Sequence, residues 1–176
     1  MRLFLGIDLP EHIKTRISQF VAPIKKSEKG WESPHDYHQT LLFIGEVSDE
    51  EVPSIKERLL AISFPAFEIK TTTFQFFNRR IMYLGIEKSD ELLALKKVIN
   101  DLFPEWSSKE TKSFHPHVTV KRWQRYEHAD LVEGLSREAW TSMSFIANSV
   151  ALFKSEKDAE NHKYHVIDSI PLKSSN

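Results

Sequence analysis

Apolar residues recur along this chain in two rhythms, and the switches between them mark its elements. Leu3 to Asp8 is an apolar run of strand length, too short for a membrane span or a secretory leader. After Pro10 the spacing changes to three and four, with Ile13, Ile17, Phe20 and Val21 on one stripe, which predicts a helix through about Lys25. His38 to Val47 predicts a strand ending near Gly45, and Ser48 is placed to cap a helix that begins with the acidic Asp49, Glu50 and Glu51. Strands are expected at Phe67 to Thr73 and Ile81 to Glu87, then a helix from a Ser89 cap to about Phe103, stopped by Pro104. Further strands are expected at His117 to Lys121, Ser144 to Phe153 and Tyr164 to Ile170. The polar run Lys154 to Lys163 reads as a turn or loop, and Ser174 to Asn176 as a frayed end. Strands and helices in this mixture predict a layered α+β or α/β fold.

Sliding the chain against itself exposes a repeat. At an offset of 79, Phe4-Leu5-Gly6-Ile7-Asp8 lies on Tyr83-Leu84-Gly85-Ile86-Glu87, Ile13 on Leu92 and Phe20 on Ile99. Without a gap, the same offset sets His38-Gln39-Thr40-Leu41 on His117-Val118-Thr119-Val120. At an offset of 78, Phe67 falls on Phe145 and Phe74 on Leu152. Each half thus reads strand, helix, His-x-Thr strand, further strand. Eight His and eight Thr in 176 residues give about 0.4 His-x-Thr triplets by chance. Two of them in the register of an independent strand match point to a duplicated unit with something to do at both triplets.

Composition narrows the possibilities. The length suits one domain, and the absence of cysteine excludes a disulfide scaffold, thiolate zinc ligands and a cysteine nucleophile. A net charge of −1 excludes nucleic-acid binding by bulk positive charge, leaving only local clusters. With neither span nor leader, a cytoplasmic location is expected.

In a strand, residues i and i+2 share a face, so His38 points with Thr40 and His117 with Thr119. A twofold relation between the halves would bring two imidazoles and two hydroxyls together across a cleft. That set suits in-line displacement at phosphorus, where one histidine takes a proton from water and the other protonates the leaving oxygen. The hydroxyls can donate to equatorial phosphoryl oxygens, and no metal or cofactor is needed. Lys121 and Arg122 follow the second triplet; strict alternation puts Arg122 on the opposite face from His117 unless the strand bulges. Trp31, Tyr37, Phe43, Trp123 and Tyr126 could stack a base. His35, His38, His115 and His117, with Asp36, are the candidates for a metal site, although they lack the helical spacing of one.

Two HxTx motifs in this order, with the flanks Tyr37 to Val47 and Phe114 to Arg122, resemble the 2H phosphoesterases, specifically the LigT-like RNA 2′,3′-cyclic phosphodiesterases, also called 2′-5′ RNA ligases. Met1 to Ile7, Met82 to Ile86, Val150 to Ser155, Tyr164 to Ile167 and Ile170 to Leu172 extend the resemblance over nearly the whole chain, 1–176. It implies a single bilobal α+β domain, with two antiparallel sheets flanking a central cleft and helices outside. It also implies that His38 donates a proton to the leaving ribose 3′ oxygen, that His117 activates water, and that Thr40, Thr119 and Arg122 bind the phosphate. The substrate would be an RNA end bearing a 2′,3′-cyclic phosphate, with no cofactor, no membrane and no obligate protein partner. The competing readings are a phosphodiesterase on a small cyclic nucleotide or other cyclic ester, a non-catalytic nucleotide- or RNA-binding module, and a metallohydrolase built on the histidine clusters.

Overall fold

The computed structural model describes residues 1–25, 29–122, 132–135, 139–157 and 162–174. Eight strands are named: β1 (Arg2–Asp8), β2 (His38–Glu46), β3 (Phe67–Phe77), β4 (Ile81–Ile86), β5 (His117–Arg122), β6 (Ser144–Ala147), β7 (Ser149–Lys157) and β8 (His162–Pro171). The helices named are α1 (Glu11–Val21), α2 (Val52–Leu60), α3 (Asp90–Leu102) and the single turn α4 (Pro104–Ser107), and the described residues 132–135 are also helical. All strand pairs are antiparallel, and the spatial order is β6-β3-β4-β5-β2-β1-β7-β8.

The fold is therefore α+β, as expected, but its strands run as one eight-stranded sheet where two sheets had been anticipated. The join is thin. Between β2 and β5 the only paired residues are Gln39 and Val118, one from each His-x-Thr triplet. On either side of that seam lies a four-stranded half, β2-β1-β7-β8 and β5-β4-β3-β6.

The registers reproduce the offsets of the sequence repeat. Leu5 pairs with Leu152 and Phe4 with Phe153, while Leu84 pairs with Phe74 and Tyr83 with Gln75. Each half takes strand from the other part of the chain: β3 lies beside β4, and β7, with β8 beyond it, lies beside β1.

The period-2 pattern sorts the two faces. Leu3, Leu5 and Ile7 join Ile13, Ile17, Leu92, Leu95 and Ile99 in one core, so the helices cover that face. Phe4, Ala151 and Phe153 form a smaller cluster on the other, with Tyr164 against it. Gly6 sits on this second face because a Cβ there would come within 2.8 Å of the Gln39 carbonyl oxygen.

Several boundaries differ from expectation for local reasons. α1 stops at Val21 and tightens to a 3-10 turn over Ala22–Ile24, because Pro23 supplies no N–H to continue the helix. The Ser48 N–H and hydroxyl both donate to the Glu51 carboxylate, closing a turn over 49–51 before α2 proper begins at Val52. Ser89 caps α3 as expected, its hydroxyl oxygen accepting from the Leu92 N–H at 3.2 Å. The expected strand Ser144 to Phe153 breaks at Asn148 into β6, which pairs with β3, and β7, which pairs with β1. The polar run near its end is mostly strand: β7 reaches Lys157 and β8 starts at His162. No helix among the described residues is long and apolar enough to cross a membrane.

Candidate active site

Each triplet histidine is moored by the backbone two residues before it. Pro34–Asp36 form one 3-10 turn, and the Asp36 carbonyl oxygen lies 2.6 Å from Nδ1 of His38. That turn is itself held by Lys14, buried on α1, whose ammonium donates to the His35 carbonyl and pairs with Asp8 at 2.7 Å. In the other half, the His115 carbonyl oxygen lies 2.7 Å from Nδ1 of His117. A carbonyl only accepts, so Nδ1 carries the hydrogen in both rings, and the neutral imidazole keeps its lone pair on Nε2.

Both rings are walled by aromatics. Phe4 (4.7 Å between centroids), Tyr164 (4.7 Å, edge-on) and Phe153 (5.3 Å) surround His38. Phe77 (5.1 Å) and Tyr83 (5.3 Å) stand edge-on to His117 and stack on each other at 4.1 Å. Burial against these rings disfavours the imidazolium and pushes His38 down to about 4, with Arg122 and His117 adding repulsion. His117 is lowered for the same first reason, with His115 and Arg122 adding to it.

Thr40 and Thr119 are half-buried on the same face as their histidines. The single Gln39–Val118 pair, continued one residue each way, sets His38 against Thr119 and Thr40 against His117. Arg122 joins them through a bulge. Tyr83 opposes Thr119 while Met82 opposes Lys121, so Val120 is an extra residue and the alternation shifts by one. Lys121 then turns into the interior at 3% exposure, its ammonium donating to the Lys29 carbonyl and lying 4.9 Å over Trp31. Arg122 comes to the site face, its Nη2 3.5 Å from the Thr119 hydroxyl oxygen. Strict alternation placed Arg122 on the wrong face; the extra residue is the reason.

β2 carries a bulge at the matching place. Gly6 opposes Thr40 and Leu5 opposes Leu42, leaving Leu41 over. Phe43 therefore occupies the position that Arg122 holds in the other half, 58% exposed and 6.0 Å from Phe4.

A carboxylate that the sequence did not single out completes the arrangement. Glu32 is 6% exposed and accepts from Nε of Arg122 at 2.8 Å. Burial raises its pKa, and Arg122 opposes that rise. Tyr164 lies against the same pair, and its hydroxyl is pushed up to about 12, first by burial and then by the charge of Glu32. Glu32 stands in a loop 90 residues from its partner, so no local pattern marks it.

The remaining candidates fall elsewhere. Trp31 and Tyr37 are core residues and present no free stacking face. Trp123, Tyr126 and His128 lie outside the described residues. His165 faces Glu156 at 3.4 Å near solvent, and His12 is exposed. His35 and His115 are exposed, and Asp36 accepts from the Tyr164 N–H; among the described residues no three His, Asp or Glu gather as metal ligands.

Two His-x-Thr strands meeting at one seam, each histidine held at Nδ1, fit the 2H phosphoesterases that the sequence resembles. Residues 9–159 match the family model of the 2′-5′ RNA ligase superfamily, and the chain belongs to that family. It is 34% identical to an RNA 2′,3′-cyclic phosphodiesterase of Thermotoga maritima over 135 residues, 72% of each chain. It is 30% identical to one of Archaeoglobus fulgidus over 154 residues, 81% of this chain and 85% of the other. Among solved structures, E. coli LigT complexed with phosphate is similar at a TM-score of 0.73 and 25% identity, covering 98% of this chain and 97% of that one.

Proposed function

We propose that this protein is an RNA 2′,3′-cyclic phosphodiesterase that opens a terminal cyclic phosphate to a 2′-phosphate by two-histidine acid–base catalysis, without a metal ion. The observation that carries this reading is the paired mooring of Nδ1, which leaves each Nε2 without a hydrogen bond to another described residue, with Arg122 and the Thr119 hydroxyl beside the pair. The names of the relatives support the substrate class.

The chemistry then runs as follows. Water attacks phosphorus in line with the ribose 3′ oxygen, and His117 Nε2 takes its proton as the new P–O bond forms. The bond from phosphorus to the 3′ oxygen breaks, and His38 Nε2–H delivers a proton to that oxygen, leaving the phosphate on the 2′ oxygen. Arg122, Thr119 and Thr40 bind the equatorial oxygens, where charge gathers in the transition state. Glu32 holds Arg122 in position through Nε. Both histidines rest neutral at pH 7, so His38 acquires its proton as the anionic phosphate enters; a negative charge a few Å away favours the imidazolium. In this reading the site lies between two halves of one duplicated unit.

The test is an oligoribonucleotide ending in 2′,3′-cyclic phosphate, incubated with and without EDTA, with the product end identified. A 2′-phosphate formed equally in both is expected. A 3′-phosphate product, or activity lost to EDTA and restored by added metal, would overturn the mechanism. Hydrolysis of a cyclic mononucleotide alone would assign the site to a small cyclic ester.

A further inference from the structure

The hairpin joining β3 to β4 bears a cationic feature that the acid–base chemistry leaves unused. Asn78 and Arg79 have φ of 48° and 55°, and the Arg80 N–H donates to the Phe77 carbonyl at 2.9 Å, which closes a tight β-turn whose two central residues both lie in the left-handed region. Its first central position suits Asn. Its second is ordinarily glycine, because a Cβ is strained in the left-handed region. Arginine stands there instead. Arg79 and Arg80 are both exposed, and neither has an ion pair with another described residue.

The turn sits on the rim of the site. Phe77, which opens it, pairs with Ile81, and Ile81 pairs with Arg122, so the turn lies two strands from the catalytic arginine. The Phe77 ring itself packs against His117. By the repeat, Arg79 falls on Lys157 and Arg80 on Asp158, so the other half has one cation and one acid where this turn has two cations. The turn thus carries two formal positive charges on a protein whose net charge is −1.

An RNA end held in the cleft must lead its upstream strand away over one rim, with one negative phosphodiester per nucleotide. We propose that Arg79 and Arg80 bind the phosphodiesters just upstream of the terminal nucleotide, so that the enzyme selects an RNA end over a cyclic mononucleotide. The strained arginine is retained for this contact, as backbone strain commonly is at binding sites. This inference rests on the reading of the cleft as a cyclic-phosphate site.

The experiment compares the wild type with Arg79→Gly, Arg80→Ala and the double variant, each assayed on a cyclic-phosphate oligoribonucleotide and on a 2′,3′-cyclic mononucleotide. The double variant is expected to lose about tenfold in kcat/KM on the oligomer, mainly through KM, and nothing on the mononucleotide. Each arginine removed should lower the slope of log affinity against log salt by about one. Arg79→Gly should melt no lower than the wild type, since glycine relieves the strained position. Equal losses on both substrates, or no loss on the oligomer, would overturn the inference. If the wild type hydrolyses neither substrate, the reading of the cleft fails, and fluorescence anisotropy with the same oligomer still decides the arginines: weaker binding by the double variant supports the contact, equal binding removes it. Stronger binding of an acidic peptide than of RNA would also overturn it.

Discussion

Phe43 and Arg122 occupy the same place in the two halves, one turn of logic apart. Each follows a moored histidine, a threonine and a bulged residue, Leu41 in one half and Val120 in the other. Up to that point the halves are near copies; beyond it one presents an exposed phenyl ring and the other a guanidinium tied to Glu32. In the proposed mechanism the repeated triplets would supply the acid and the base, and the divergence at one position would supply a direction. On that proposal the Arg122 cation would face the developing charge, and the exposed Phe43 ring would border the other side.

The comparison breaks first at the histidines. His38→Ala and His117→Ala should each lower turnover by about 10²-fold or more. They should part on an activated substrate: with a p-nitrophenyl leaving group, which needs no proton, His38→Ala should recover much of its loss and His117→Ala should not. Equal recovery would cancel the assignment of donor and acceptor.

Arg122 against Phe43 comes next. Arg122→Met should cost about 10²-fold in kcat/KM, as for a lost donor to the transition-state charge. It should also let both imidazoles titrate higher, because Arg122 disfavours each imidazolium. Phe43→Met should do neither, and an NMR titration of the two rings separates the cases. A smaller effect concerns pH. Because both rings are held below the ordinary histidine pKa of about 6.5, kcat/KM for the free enzyme should peak on the acid side of 6.5. A peak above pH 7 would show that the walls of aromatic rings do not govern the rings they enclose.

The smallest effect is on stability. With His38 depressed to about 4, the folded chain binds fewer protons than the unfolded chain between that value and the ordinary one. Stability therefore rises with pH across this window and falls as acid is added through it. His38→Phe removes the linkage, so its melting temperature should decline less between pH 6.5 and 4 than that of the wild type.

The repeat and the two triplets were legible in the sequence because periodicity and spacing are local, one-dimensional signals. So was the face shared by His38 with Thr40, and by His117 with Thr119. The single sheet was not, since it depends on which edges meet, and one Gln39–Val118 pair decides it. Arg122 was misplaced by alternation because an extra residue in a strand leaves no mark in composition. Glu32 was invisible for a different reason: its partner is 90 residues away, and a lone acid in a loop looks like any solvated one. The aromatic walls were partly hidden too. Phe4 and Phe153 lie in strands expected from the sequence, but nothing there showed that they share a face with His38.

The exchange of strands between the halves has a consequence for how the chain is made. The half that carries His38 takes β7 and β8 from residues beyond 148, so β1, already beside β2, must wait for its second neighbour about 150 positions downstream. Pairings of such long range are slow to form and leave an apolar strand edge uncovered meanwhile. During synthesis the His117 half can begin as a local β3–β4 hairpin, whereas the His38 half stays unfinished until the final strands emerge. The two histidine strands of the folded protein thus gain their neighbours in order, the second before the first.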